Sequence, residues 1–183
     1  MYYTDGESFP CNLCTLDSPW GMTETNDGDI VICHPETHKV CIFDKKGRSK
    51  MTLKTSLSGN NLFLNPRCVC VNELNGDIIV SDFERHSILF FDKNGEYKFR
   101  YGSLGKSSGH LHHPCGVCAD SNGNVIVADS DNHRVHLVSA DGKFRRFILT
   151  QADGIDEPIA VCLTKEELLV VGQWSGKVIV LNY

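Results

Sequence analysis

The stretch HPCGVCADSNGNVIVADSDNHRVHLVSADG, residues His113 to Gly142, alternates short apolar runs with polar turns. The runs are Cys115–Ala119, Val125–Val127 and Val135–Val138. Between and after them lie the turns Asp120-Ser121-Asn122-Gly123, Asp129 to Asn132, and Asp141-Gly142. Short β-branched runs bounded by Asn, Asp and Gly predict a meander of antiparallel strands.

The same features recur along the chain at intervals of about 47 positions. Prolines precede the first strand at Pro19, Pro66, Pro114 and Pro158. Turn glycines repeat at Gly28, Gly76 and Gly123, histidines at His38, His86 and His133, and closing glycines at Gly47, Gly95 and Gly142. The second runs, such as Ile30-Val31-Ile32, Ile78-Ile79-Val80 and Leu168-Leu169-Val170, lack polar alternation, which predicts strands buried on both faces between stacked sheets. The variable segments Arg48–Leu57, Glu96–Tyr101 and Lys143–Leu149 carry mixed charge and suit outer edge strands. Each unit then supplies a four-stranded sheet, the size of a propeller blade. The expected fold is an all-β propeller of about four units, at 16–62, 63–110, 111–154 and 155–183, preceded by an N-terminal segment, 1–15. The last unit has no fourth strand, and the stretch Glu7–Leu16 is expected to supply it.

The 183 residues are 41 % hydrophobic, enough for a substantial core, and the formal charge of −5 gives no general attraction to phosphate. No apolar window approaches the roughly 20 residues that span a bilayer, and no apolar leader follows Met1, so no membrane association and a cytoplasmic location are expected. Nine cysteines, an odd number, are then read as reduced thiols.

Pro114-Cys115-Gly116-Val117, Asp120-Ser121-Asn122-Gly123-Asn124 and Asp129-Ser130-Asp131-Asn132-His133-Arg134-Val135 together resemble the NHL repeat. The second unit matches at Pro66, Gly76, Asp82 and Ile88; the first has His34 in place of the Asp; the fourth has Gly172 there. The resemblance implies a β-propeller of NHL-type blades, part of a six-bladed ring, similar to the C-terminal portion of tripartite-motif (TRIM-NHL) ubiquitin ligases. Physically, Asp82 and Asp129 can accept backbone N–H bonds from the following turn, Asn132 can take a positive φ, and Arg134 can reach the next blade.

One cluster invites a metal reading. His110-Leu111-His112-His113-Pro114-Cys115-Gly116-Val117-Cys118 places imidazoles before a C-x-x-C pair, the chemistry of a zinc site. Alignment of the units opposes it: Gly21, Cys68, Gly116 and Ala160 share one position, and Thr23, Cys70, Cys118 and Cys162 another, so the thiols read as small residues in tight inner space. Cys11 and Cys14 lack a companion pair, and the periodic histidines fall one per unit around the rim, so no metal or other cofactor is assigned. No catalytic residues are assigned either.

The position after each proline carries Trp20, Arg67, Cys115 and Ile159, which by register ring one end of the axis. Trp20, Arg67, Arg85 and Trp174 are the candidate binding residues, since aromatic and Arg side chains anchor protein interfaces. The resemblance implies a non-catalytic partner- or substrate-recognition propeller of an E3 ubiquitin ligase, with a protein partner or ubiquitination substrate. An RNA-binding propeller is a second class, and a metal-dependent propeller lyase or lactonase a third. The basic groups Lys45, Lys46, Arg48, Lys50, Lys54 and Lys143, Arg145, Arg146 fall at outer strands, where charge blunts edge pairing.

Overall fold

The computed structural model describes residues 18–53 and 62–183. The closing strand expected at Glu7–Leu16, the pair Cys11 and Cys14, and Lys54 lie outside the described residues.

Four antiparallel sheets follow one another along the described chain, each a meander in chain order. The first contains β1 (Met22–Glu24), β2 (Ile30–His34), β3 (Lys39–Phe43) and β4 (Ser49–Thr52). The second contains β5 (Pro66–Val71), β6 (Ile78–Asp82), β7 (Ser87–Phe91) and β8 (Tyr97–Tyr101). The third contains β9 (Pro114–Ala119), β10 (Val125–Asp129), β11 (Arg134–Val138) and β12 (Phe144–Leu149). The fourth has β13 (Pro158–Leu163), β14 (Leu169–Gln173) and β15 (Val178–Leu181). Strand β1 packs beside β5, β5 beside β9, and β9 beside β13, so the sheets stand as successive blades around one axis.

Turn chemistry builds the hairpins. Asp44, Asp92 and Asp120 each use Oδ1 to accept two backbone N–H groups from the turn that follows, as at Asn122 and Asn124. The glycine that ends each of these turns sits at positive φ (77°, 81° and 78° for Gly47, Gly95 and Gly123), where a Cβ would be strained.

Apolar side chains fill the space between neighbouring blades. Val31, Cys33, Val40 and Ile42 of the first sheet meet Val69, Ile78, Val80, Leu89 and Phe91 of the second. Burying each such aliphatic side chain contributes about 1.5–3 kcal/mol. As the sequence predicts, β6 and β10 are buried at every position. The fourth sheet differs: Leu169, Val171, Ile179 and Leu181 pack on the third, while Val178 and Val180 on the other face remain more than half exposed.

Between inner strands the spacing is that of backbone against backbone. A Cβ on Gly116 would stand 2.7 Å from Val161 N and 2.8 Å from Ala160 Cα. This bears out the small-residue reading of the Gly21, Cys68, Gly116 and Ala160 position.

Three local readings are corrected. The aspartates accept N–H bonds chiefly from the loop that leads into their own blade: Asp82 from Leu64 and Asn65 (both 2.8 Å), and Asp129 from His112 (2.6 Å). In the fourth unit their counterpart is Gln173, whose Oε1 accepts Asp156 N–H at 2.7 Å, and which pairs with Pro158 as Asp82 pairs with Pro66. Gly172 lies one position early. The left-handed residue of the Asp129–Arg134 turn is His133 (φ 51°), not Asn132, and His38 and His86 adopt the same conformation. Histidine is among the residues enriched there.

The periodic histidines therefore have a structural role. His86 Nδ1 accepts the backbone N–H of His113 at 3.1 Å, and His133 Nδ1 reaches Glu157 N–H at 3.2 Å. His38 Nδ1 meets the Leu64 carbonyl. Each thus latches the turn of one blade to the loop that enters the next.

Candidate functional site

Each first strand begins beside the end of its second strand, so the entry loops and the turns after β2, β6, β10 and β14 gather on one face of the array. Trp20 and Arg67 meet there: the Arg67 guanidinium lies 5.0 Å from the Trp20 ring centre and 3.4 Å from that of Phe83. Its Nη1 is also 3.9 Å from Cys115 Sγ, which places three successive post-proline side chains in a row. Phe83 continues the stack onto His113, at 4.1 Å and 7°. A cation between two aromatic faces is held by about 0.5–2 kcal/mol per ring, which fixes Arg67 as a platform.

Arg85 stands in the turn after β6 with Nε 3.6 Å from Asp82 Oδ2. Trp174 occupies the matching turn of the fourth blade, 72 % exposed, with its backbone N–H donating to Glu157 O at 3.0 Å. Phe83 N–H bonds Asn65 O at 2.9 Å in the same way, so Trp174 is the counterpart of Phe83, two blades along. Trp20 is 60 % exposed, and Leu64 and Leu104 from the entry loops add further exposed apolar surface. Sequence reasoning missed Phe83 and His113. The signal was the residue after the β6 terminal acid, but placing Gly172 at the acid's position hid its kinship with Trp174.

Arg134 does not reach a following blade. Its Nε bonds Asp129 Oδ2 at 2.7 Å, while Nη1 and Nη2 donate to the carbonyls of Lys106 and His110 at 2.6 and 2.9 Å. Asp129 Oδ2 also accepts from Asn132 Nδ2 (2.9 Å) and His136 Nε2 (3.0 Å), and Tyr101 Oη bonds His136 Nδ1 (2.8 Å). This buried network anchors the 102–113 entry loop. Burial would raise the Asp129 carboxyl, but the bonds from His136, His112 and Asn132 outweigh it and hold it below the usual range.

Burial, only partly offset by Asp129, lowers His136 from its ordinary value of 6.5. The unfolded chain therefore takes up a proton near pH 6.5 that the folded chain refuses. His136 is expected to contribute full stability above that pH and to lose it as pH falls toward the depressed folded value. Melting temperatures from pH 8 to 5 should fall more steeply for the wild type than for His136→Gln; parallel curves would remove His136 from the account.

The cysteines of the tempting motif do not join its histidines. Burial pushes the Cys118 thiol up to about 12 and the Cys68 thiol to about 11, as expected of protonated packing residues. The histidines themselves do gather: His86, His112 and His113 each offer a nitrogen within 4.8 Å of the others'. His86 enters from the preceding blade, which the sequence did not indicate.

Three of the basic residues at outer strands pair with acidic neighbours: Arg48 with Asp44 and Lys143 with Asp141, both at 2.6 Å, and Lys50 with Asp29. A hollow of about 470 Å³ on the opposite face, between the first two blades, includes Asn26, Asp29, Lys50, Leu74 and Lys93.

The NHL repeat family profile matches residues 63–91 and 111–136. No curated protein matches. Among solved structures, this chain is similar to a streptogramin B lyase, at 21 % identity with TM-score 0.66, covering 94 % of this chain and 57 % of that one. Virginiamycin B lyase from Staphylococcus aureus is similar at 16 % identity with TM-score 0.63, over 90 % of this chain and 55 % of that one. A chain of a nidogen/laminin complex is similar at 19 % identity with TM-score 0.74, over 98 % of this chain and 65 % of that one. The chain thus spans between about half and two thirds of the length of these structures, and at such identities the likeness is one of fold. The second and third blades contain the matched NHL repeats, and the described residues are built as β-propeller blades.

Proposed function

We propose that this array is a non-catalytic protein-interaction module, the partner- or substrate-recognition portion of a TRIM-NHL-like E3 ubiquitin ligase in the cytoplasm, contributing four blades to a six-bladed ring. One observation carries the reading. Exposed Trp20 and Trp174, with Arg67 held between two aromatic rings, lie on one face made of loops. Rigid aromatics and a stacked guanidinium bind at low entropic cost, which is why such residues dominate interface hot spots. The nidogen/laminin complex offers a precedent for a similar fold within a protein complex.

The test is selection of peptides from a displayed random library on the purified chain, followed by titration of the winners against Arg67→Ala and Trp174→Ala. Ligands that lose tenfold or more, about 1.4 kcal/mol, in either variant support the reading. Ligands indifferent to both substitutions would overturn it. Retention of mixed single-stranded RNA that weakens with salt and with Arg67→Ala would transfer the face to nucleic acid. Turnover of a streptogramin by the wild-type chain would transfer it to the lyases.

A further inference from the structure

We propose that His86, His112 and His113 form a binding site for a borderline divalent cation of the zinc class, bridging the second and third blades. The site shares His113 with the Arg67–Phe83 stack of the loop face, and the proposal holds whatever partner that face binds. Three imidazoles from two loops have nitrogens within 4.8 Å of one another, so a contraction of at most about 1.5 Å brings them to the spacing that a tetrahedral ion with bonds of about 2.0–2.1 Å requires. Each of the three residues is half-buried, which leaves a direction open for a water or a donor from a docked molecule.

A neighbouring carboxylate, that of Asp131, faces two of the rings. Asp131 Oδ2 lies 2.6 Å from His113 Nδ1, which fixes the proton on that nitrogen and leaves Nε2 as its lone-pair donor. The same carboxylate oxygen is 3.6 Å from His112 Nε2. Imidazole donors with carboxylate support select zinc, nickel or copper over calcium or magnesium. The cysteines Cys115 and Cys118 are not among the donors.

Loading has a structural consequence. His86 Nδ1 now accepts the backbone N–H of His113. A ring that binds metal through Nδ1 loses that lone pair, and one that binds through Nε2 carries its proton on Nδ1. Either way the latch between the second and third blades is released when the ion binds, and the ion replaces it as the link.

The experiment uses cobalt(II) and zinc(II) with the purified chain. One equivalent of cobalt is expected to bind with the visible bands of a four-coordinate ion and no thiolate charge-transfer band, and to be displaced by zinc. His112→Asn, whose side chain takes no part in the latch, should weaken binding at least tenfold without changing the circular dichroism of the metal-free protein. The backbone amide resonance of His113 should shift on zinc addition in the wild type and not in the variant. Binding unchanged in His112→Asn, a thiolate band, or an unmoved His113 amide on saturation would each overturn the proposal.

Discussion

Asp129→Ala is expected to cost about 3–5 kcal/mol of folding stability, because it leaves a buried guanidinium without its counter-charge. Arg134 is 9 % exposed and His136 fully buried, and both donate to the same carboxylate oxygen. Removing the carboxylate also strips His112 N–H of its acceptor and Asn132 Nδ2 of one of its two, so the 102–113 loop loses its direct tie to the end of β10. Asp82 provides the contrast. It holds Leu64 and Asn65 in the same way, but Ser87 and Leu89 stand where the third blade has Arg134 and His136. Burial, less fully offset there, raises its carboxyl, so Asp82→Ala should cost only about 1–3 kcal/mol. Urea midpoints of the two variants decide. Equal losses would show that the loop bonds, and not the buried cation, set the cost.

Gly116→Val is the second large effect, expected to destabilise by about 3 kcal/mol or more. Its Cβ would lie inside van der Waals contact with Val161 N and Ala160 Cα, backbone atoms of β13 that cannot turn aside as a side chain could. Relief would require the third and fourth blades to separate, exposing Ile126, Val161 and Val171. Exposed Cys162, also on an inner strand, should tolerate change to Ala within about 0.5 kcal/mol. Thermal melts of both variants test the pair, and a Gly116→Val protein as stable as wild type would show that the inner strands can part freely.

The two effects sit on different links of the same chain of causes. Gly116 belongs to the repeat, and its need for smallness follows from how closely inner strands approach. Asp129 belongs to the repeat as well, yet its weight comes from Arg134 and His136, which the second blade lacks. A motif position can thus be periodic while its energetics are local. Bonds from an anchored entry loop also explain how the loop face keeps its shape: Arg67, Phe83 and His113 stack only because the loops before β5 and β9 are tied to Asp82 and Asp129.

The sequence by itself determined the all-β fold, the meander within each sheet, the outer position of the charged segments and the tight inner position of Gly21 and Gly116, because these depend on short-range turn chemistry and on a repeated apolar pattern; the second small position was misjudged in the fourth blade, where Cys162 is exposed because no further blade covers that face among the described residues. It also placed Trp20 and Arg67 together, since register alone puts the post-proline residues at one end of the axis. Only the tertiary structure decided that Asp82 and Asp129 bond their entry loops, that Gln173 replaces them in the fourth blade, and that Phe83 and His113 extend the Arg67 stack. It alone brought His86 to His112 and His113. Those contacts join one blade's turn to the next blade's entry loop, and their distances follow from how twisted sheets pack around an axis, which no local period in the chain specifies.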